Sequence, residues 1–188
     1  MKKIFALALC LCMLFAFVAC GDDDKTQDPT PETPTTAEYK LGMGVVVSTE
    51  SSKENNAQVD ATVAAVVLDK DGKIVLCRID VAQNKMDITG GGVDAAKKFE
   101  TKMELGSRYG MEGKVDNDGN GVMKEWDAQA KAFEAYVVGK TASEIKNMEL
   151  QEANGHKIAV DKALLDAGCS MQITGMMDAI AQACDYAR

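Results

Sequence analysis

The sequence predicts an α+β fold, an antiparallel sheet built from N-terminal hairpins with C-terminal helices packed on one face. Three observations carry this. Alternating apolar runs cluster in the first half of the mature chain, an Asp-Gly turn joins two of them, and helical periodicity takes over in the second half.

Residues 39–49 read as the strand that enters the domain. Residues 58–68 read as a second, with Val59, Ala61, Val63, Ala65 and Val67 on one face. Asp71-Gly72 supplies the turn, since both residues tolerate positive φ. The return strand over 73–81 places Val75, Cys77, Ile79 and Val81 on one side and Arg78 and Asp80 on the other. One wet face marks an antiparallel sheet. A short strand is expected over 86–89, before the Gly90-Gly91-Gly92 turn.

From Trp126 to Val138 the apolar residues fall at helical spacing, and Gly139 ends the run. Thr141 and Glu144 form a capping box that opens a short helix through Met148. Residues 161–167 and 174–187 are further helices. His156 stands in a polar stretch and reads as a surface loop residue.

The N-terminus reads as a signal peptide over 1–19, with Lys2 and Lys3 preceding an apolar run from Ile4 to Ala19. The run is too short for a stable span and is followed at once by Gly21 and three aspartates. Phe17-Val18-Ala19-Cys20 resembles the bacterial lipobox, in which the cysteine thiol takes up diacylglycerol and becomes the new N-terminus. A plain secretory signal cut near Ala19 is the alternative. Lipidation of Cys20 would hold the protein at the extracytoplasmic face of the cell membrane. Residues 20–38 follow as a tether of Asp, Thr, Pro, Gln and Glu, too polar to offset the entropy of ordering. Residues 39–188 then form one extracytoplasmic domain.

Loss of residues 1–19 removes two lysines and no acid, so the formal charge falls from −8 to −10. Such a surface repels phosphate backbones, which excludes nucleic acid as a partner. Of six cysteines, Cys77, Cys169 and Cys184 remain in the domain, at spacings that match no zinc pattern. Cys77 reads as a buried strand thiol. A single bridge between Cys169 and Cys184 is compatible with an oxidising compartment.

Between the two halves, Asp116 to Asp127 matches a calcium-loop template: Asp116, Asp118 and Asn120 at positions 1, 3 and 5, Gly121 at 6, the Val122 carbonyl at 7 and Asp127 at 12. Calcium wants six to eight oxygens, which closely spaced Asp and Asn supply. The other reading is a plain Asn/Asp/Gly turn. No nucleophile elbow, zinc-protease motif or P-loop is present, so the chain reads as a carrier or binding protein rather than a hydrolase or transferase.

Several blocks together carry a family resemblance: Lys40-Leu-Gly-Met-Gly-Val, Gln58-Val-Asp-Ala-Thr-Val, Ile79-Asp-Val-Ala-Gln, Thr101-Lys-Met-Glu-Leu-Gly, Glu125-Trp and Val137-Val-Gly-Lys-Thr. The chain resembles the Gram-positive flavin-carrying, pheromone-precursor lipoproteins of extracellular electron transfer, whose domains are related to FMN-binding domains. The resemblance implies an FMN-binding electron carrier that meets a redox partner at the membrane. Flavinylated members attach FMN through its phosphate to a hydroxyl, usually Thr. The matching stretch here offers Ser170, with Thr174 as a second hydroxyl. A non-catalytic surface-binding or structural lipoprotein, braced by calcium, is the alternative.

Overall fold

The computed structural model describes residues 38–88, 99–119, 121 and 123–188. The signal peptide, Cys20, the tether up to residue 37, the triple glycine, Asn120 and Val122 lie outside the described residues.

The domain is α+β. Three antiparallel strands, β1 (Lys40–Ser48), β2 (Asn56–Leu68) and β3 (Ile74–Asp87), form a sheet in the order β1-β2-β3. The β2–β3 connection turns on Asp69, whose Oδ1 accepts the amides of Asp71 and Lys73 at 2.9 Å each. Gly72 follows at φ 75°, a conformation that disfavours any side chain. Of the expected strand over 86–89, Met86 and Asp87 are the end of β3, which pairs with β2 as far as Asn56↔Asp87; Ile88 lies past it and Thr89 is outside the described residues.

Two features of the sheet differ from expectation. Val59, Ala61, Val63, Ala65 and Val67 do share a face, but the helices bury the other one, with Ala64 and Val66 fully enclosed. Over Val63 to Leu68 both faces of β2 are apolar, so alternation there could not choose between them, and Gln58, Asp60 and Thr62 lie on the side that the helices cover. The choice falls to Gly42 and Gly44, which pair with Val66 and Ala64 and lie against the backbone of the last helix. Val75 is the second difference. Leu68 pairs with Ile74 and Val67 with Leu76, so Val75 is the extra residue of a bulge and is 41 % exposed rather than beside Cys77. The bulge lets Ile74 and Cys77 both face the core.

A short helix that the sequence did not suggest comes first, α1 (Lys102–Leu105) with a 3-10 turn over Gly106–Tyr109, and the expected helices follow in order: α2 (Trp126–Val137), α3 (Ala142–Lys146), α4 (Lys162–Asp166) and α5 (Thr174–Asp185). Capping boxes open α1 through Thr101 and Glu104 and α3 through Thr141 and Glu144. Helix α5 packs on β1 and β2, and α2 packs on β3. Phe133, Ile145, Leu164, Ile173 and Ile180 fill the space beneath them and are fully buried. His156 is exposed, but it opens a strand rather than sitting in a loop. The hairpin β4 (Leu150–Ala153) and β5 (His156–Ala159) turns on Asn154-Gly155, both at positive φ.

Each free edge of the sheet meets a helix side chain. Gln182 of α5 accepts the Val45 amide at 2.6 Å, and Arg188 exchanges backbone bonds with Leu41. Glu134 of α2 accepts the Ile79 amide at 2.7 Å. Exposed strand edges template unwanted pairing, and these contacts blunt both. No helix among the described residues is long and apolar enough to cross a membrane.

Candidate functional site

Where α2 runs along β3, the outer face of the sheet and the helix enclose a cleft of about 670 Å³. Its floor is Val63, Ala65 and Leu76. All three lie on the side of the sheet away from α5. Met103, Ala135 and Val138 form the walls. The rim carries two cations, each steadied by an acid. Arg78 donates through Nη1 to the Cys77 carbonyl at 2.7 Å and to Glu134 at 3.2 Å. Lys131 donates to Asp127 at 2.7 Å, one helical turn away. Both cationic side chains are more than half exposed, so they can turn to a ligand at little cost. Binding clefts of this volume are commonly apolar with a few charged groups at the edge.

Polar residues on the buried side of α2 organise the neighbouring loops. Glu125 caps the helix and accepts the amides of Trp126, Met111 and Glu112 at 3.0–3.2 Å. Burial works to raise its carboxyl, but the amides of Trp126, Met111, Glu112 and Gly110 together outweigh it and hold the group below the usual carboxylate range. Gln129 is wholly buried and bonded at both ends of its amide. Its Oε1 accepts Ser170 N and Met171 N at 3.0 and 2.9 Å, and its Nε2 donates to the Lys124 carbonyl at 2.7 Å. Neither residue was singled out from the sequence, although the signal was there: Glu125 and Gln129 fall on the same helical stripe as Trp126, Ala130 and Phe133.

The two candidate hydroxyls occupy separate places, and neither lines the cleft. Ser170 is 1 % exposed, and its hydroxyl bonds to Asp116 Oδ1. A hydroxyl so placed does not fit a covalent link to a phosphate, which needs access from solvent. Thr174, the first residue of α5, accepts from Gln172 Nε2 at 3.2 Å and borders a polar groove with Ser48, Asp60 and Lys157.

The calcium-loop residues fit an ion only in part. Asp116 takes the Asn117 amide at 2.9 Å, and its carboxyl is raised first by burial and then by the nearby charge of Asp118. Two carboxylates close enough to repel are suited to a cation. Asp127, however, belongs to the first turn of α2 and pairs with Lys131. Among the described residues no group of three or more His, Cys, Asp or Glu stands ready to hold a metal.

Cys77, Cys169 and Cys184 are free thiols. The expected Cys169–Cys184 bridge is not formed: Cys169 is buried and Cys184 half-buried, each as a thiol. Burial pushes the Cys77 and Cys169 thiols up to about 12, so neither offers a thiolate near neutral pH.

Comparison with known proteins adds one relative. The chain is 30 % identical over 146 residues to a chlorophenol reductase of Desulfitobacterium hafniense. The match takes in 68 % of this chain and 43 % of the relative, so the chain spans less than half of the relative's length. No protein-family profile and no solved structure matches the chain.

Proposed function

We propose that this protein is a lipoprotein anchored at the extracytoplasmic face of the membrane through Cys20, and that its domain is an electron carrier holding FMN without a covalent bond in the cleft between β3 and α2. The observation that carries the reading is the cleft itself: an apolar floor of Val63, Ala65 and Leu76, long enough for a flat ring, with Arg78 and Lys131 at its rim. The ring would lie on the floor and the phosphate would meet the two cations. FMN, when bound, supplies one- and two-electron chemistry; the chain supplies burial, orientation and charge. Attachment at Ser170 is no part of the proposal, because that hydroxyl is enclosed and bonded to Asp116. Similarity to a protein named a reductase supports a redox setting. A tether of polar residues suits a carrier that meets a membrane-bound redox partner.

The test is the quenching of FMN fluorescence by the purified chain, together with the visible spectrum and intact mass of protein matured in its own host. Arg78→Ala and Lys131→Ala are each expected to weaken FMN binding by about ten-fold, the value of a charge-assisted bond of roughly 1.5 kcal/mol. A chain that carries no flavin and leaves FMN fluorescence unchanged sinks the electron-carrier reading. The anchor is tested apart from the cofactor: Cys20→Ala is expected to leave the membrane fraction.

A second reading rests on the repelling pair Asp116 and Asp118, at which a calcium ion would brace the loop before α2. It is compatible with the first and makes the lipoprotein a calcium-stabilised binding module if no flavin is found.

A further inference from the structure

The side of the sheet turned away from α5 is almost wholly apolar, and the strand register arranges it as a grid. Four rows of three cross the strands: Leu41–Val67–Leu76, then Met43–Ala65–Arg78, then Val45–Val63–Asp80, then Val47–Ala61–Ala82. Ten of these twelve positions are apolar, and the two charges are of opposite sign and adjacent on β3. Leu41, Met43 and Val47 are each more than 60 % exposed. Single exposed apolar residues need no explanation, whereas a contiguous face of them marks an interface.

We infer that this face is covered by a second copy of the same domain, stacked about a two-fold axis that crosses the strands midway between the second and third rows. The grid is self-complementary about that line. The operation lays the second row on the partner's third, so that Arg78 meets Asp80 and Asp80 meets Arg78. It lays the first row on the fourth, so that Leu76 covers Ala82 and Val67 covers Ala61. On β2 and β3 the large apolar side chains meet small ones, as interdigitating sheets about 10 Å apart require, while on β1 Leu41 meets Val47 and Met43 meets Val45. A two-fold interface demands this pattern, in which residue i meets j while j meets i. A foreign partner would not. Among the described residues Arg78 bonds through Nη1 alone, to Cys77 and Glu134, and Asp80 through Oδ1, to the Val81 and Met103 amides, so each has an atom to turn to the partner.

Strand spacings make the footprint roughly 25 Å by 15 Å, about 400 Å² on each copy, which is below what a stable dimer buries. The pairing is therefore reversible and depends on local concentration. Tethering to a membrane raises that concentration. The inference does not depend on flavin. Val63, Ala65, Leu76, Arg78 and Asp80 belong to both the face and the cleft, so flavin and a second copy exclude each other there, and the test is made on chain whose visible spectrum shows no flavin.

Two differently tagged full-length copies, one carrying Ala65→Cys and the other Val63→Cys, are co-expressed and treated in native membranes with a short bismaleimide. A cross-linked heterodimer is expected, about ten-fold above a pair carrying Lys157→Cys, a ratio equal to ~1.4 kcal/mol. Adding Met43→Glu to both copies is expected to reduce the product to the control level, while Met43→Leu retains it. Thermal melts show whether the Met43 variants stay folded. A product no stronger than the control, or one that persists in folded Met43→Glu, overturns the inference.

Discussion

The carboxylate of Glu134 accepts the backbone N–H of Ile79 at 2.7 Å while its second oxygen meets Arg78 at 3.2 Å. One side chain thus closes the outer edge of β3 and steadies the cation at the rim of the cleft. Gln182 does the first of these jobs for Val45 on β1. Bonds to a charged acceptor are worth roughly 1.5–3 kcal/mol, and loss of a buried acceptor leaves the Ile79 amide without its partner. Glu134→Ala is therefore expected to lower the unfolding free energy by about 2 kcal/mol in urea, with Glu134→Gln falling between it and the natural chain. Equal stability of all three would show that the edge bond is not made in solution.

The element types were legible because their signals are local: the Asp71-Gly72 turn, the Thr141–Glu144 box and the helical stripe from Trp126. What was not legible depended on partners distant in sequence. Nothing near Ala64 says that α5, more than a hundred residues later, will cover its side of β2 rather than that of Val63. The Val75 bulge likewise exists only relative to Val67 and Leu68. The short α1 and the β4–β5 hairpin were missed because four-residue elements carry too few periods to count, although Asn154-Gly155 was a usable turn signal. At the candidate site, Ser170 and Asp127 were chosen for their functional groups. Their bonding partners, Asp116 for Ser170 and Lys131 for Asp127, are not ones that either motif pairs with them.

Gly42 and Gly44 are where the sheet and α5 touch backbone to backbone. A Cβ on Gly44 would stand 2.1 Å from the Ala179 carbonyl oxygen, and one on Gly42 would stand 1.9 Å from that of Ala183. Neither obstacle is a side chain that can swing away, so the helix itself must shift. Gly44→Ala is expected to cost about 3 kcal/mol, at or beyond the usual range for overpacking. Gly121→Ala, with no atom within 4 Å of the new methyl, should change stability by less than about 0.5 kcal/mol. Chemical unfolding of the two variants makes the comparison.

Glu125 gives the domain an acid-sensitive joint. Its carboxyl is held below the ordinary range against the opposing effect of burial, so below about pH 4.3, the ordinary value for Glu, the unfolded chain takes up a proton that the folded chain does not. The stabilisation is fully present above that pH and is lost as pH falls through the lowered folded value. In Glu125→Gln the neutral amide can still accept from Met111 and Trp126 but cannot titrate. Its stability should be lower at pH 7 and should decline less steeply as pH falls below about 4.3. Unfolding curves at stepped pH test this, and parallel slopes for the two chains would show that Glu125 is not the group responsible.

Lys131 lies between the two ligand proposals and separates them by sign. On one side it is a rim cation of the cleft; on the other it holds Asp127, the carboxylate that a calcium ion at Asp116 and Asp118 needs as its last ligand. An exposed ion pair at this helical spacing is worth only about 0.3–0.5 kcal/mol, so calcium can recruit Asp127, but against a small opposing force and the repulsion of the nearby ammonium. Removing the lysine frees the carboxylate and lifts that repulsion. Lys131→Ala is therefore expected to tighten calcium binding about two-fold from the weak range of extracellular sites while it weakens FMN, and Asp116→Asn to abolish the calcium response and leave FMN unchanged. Titration calorimetry with each ligand reads both. Because the two effects of one substitution run in opposite directions, general loss of structure cannot produce them together, and a flat calcium titration in both the natural chain and Lys131→Ala removes the ion from this loop without touching the cleft.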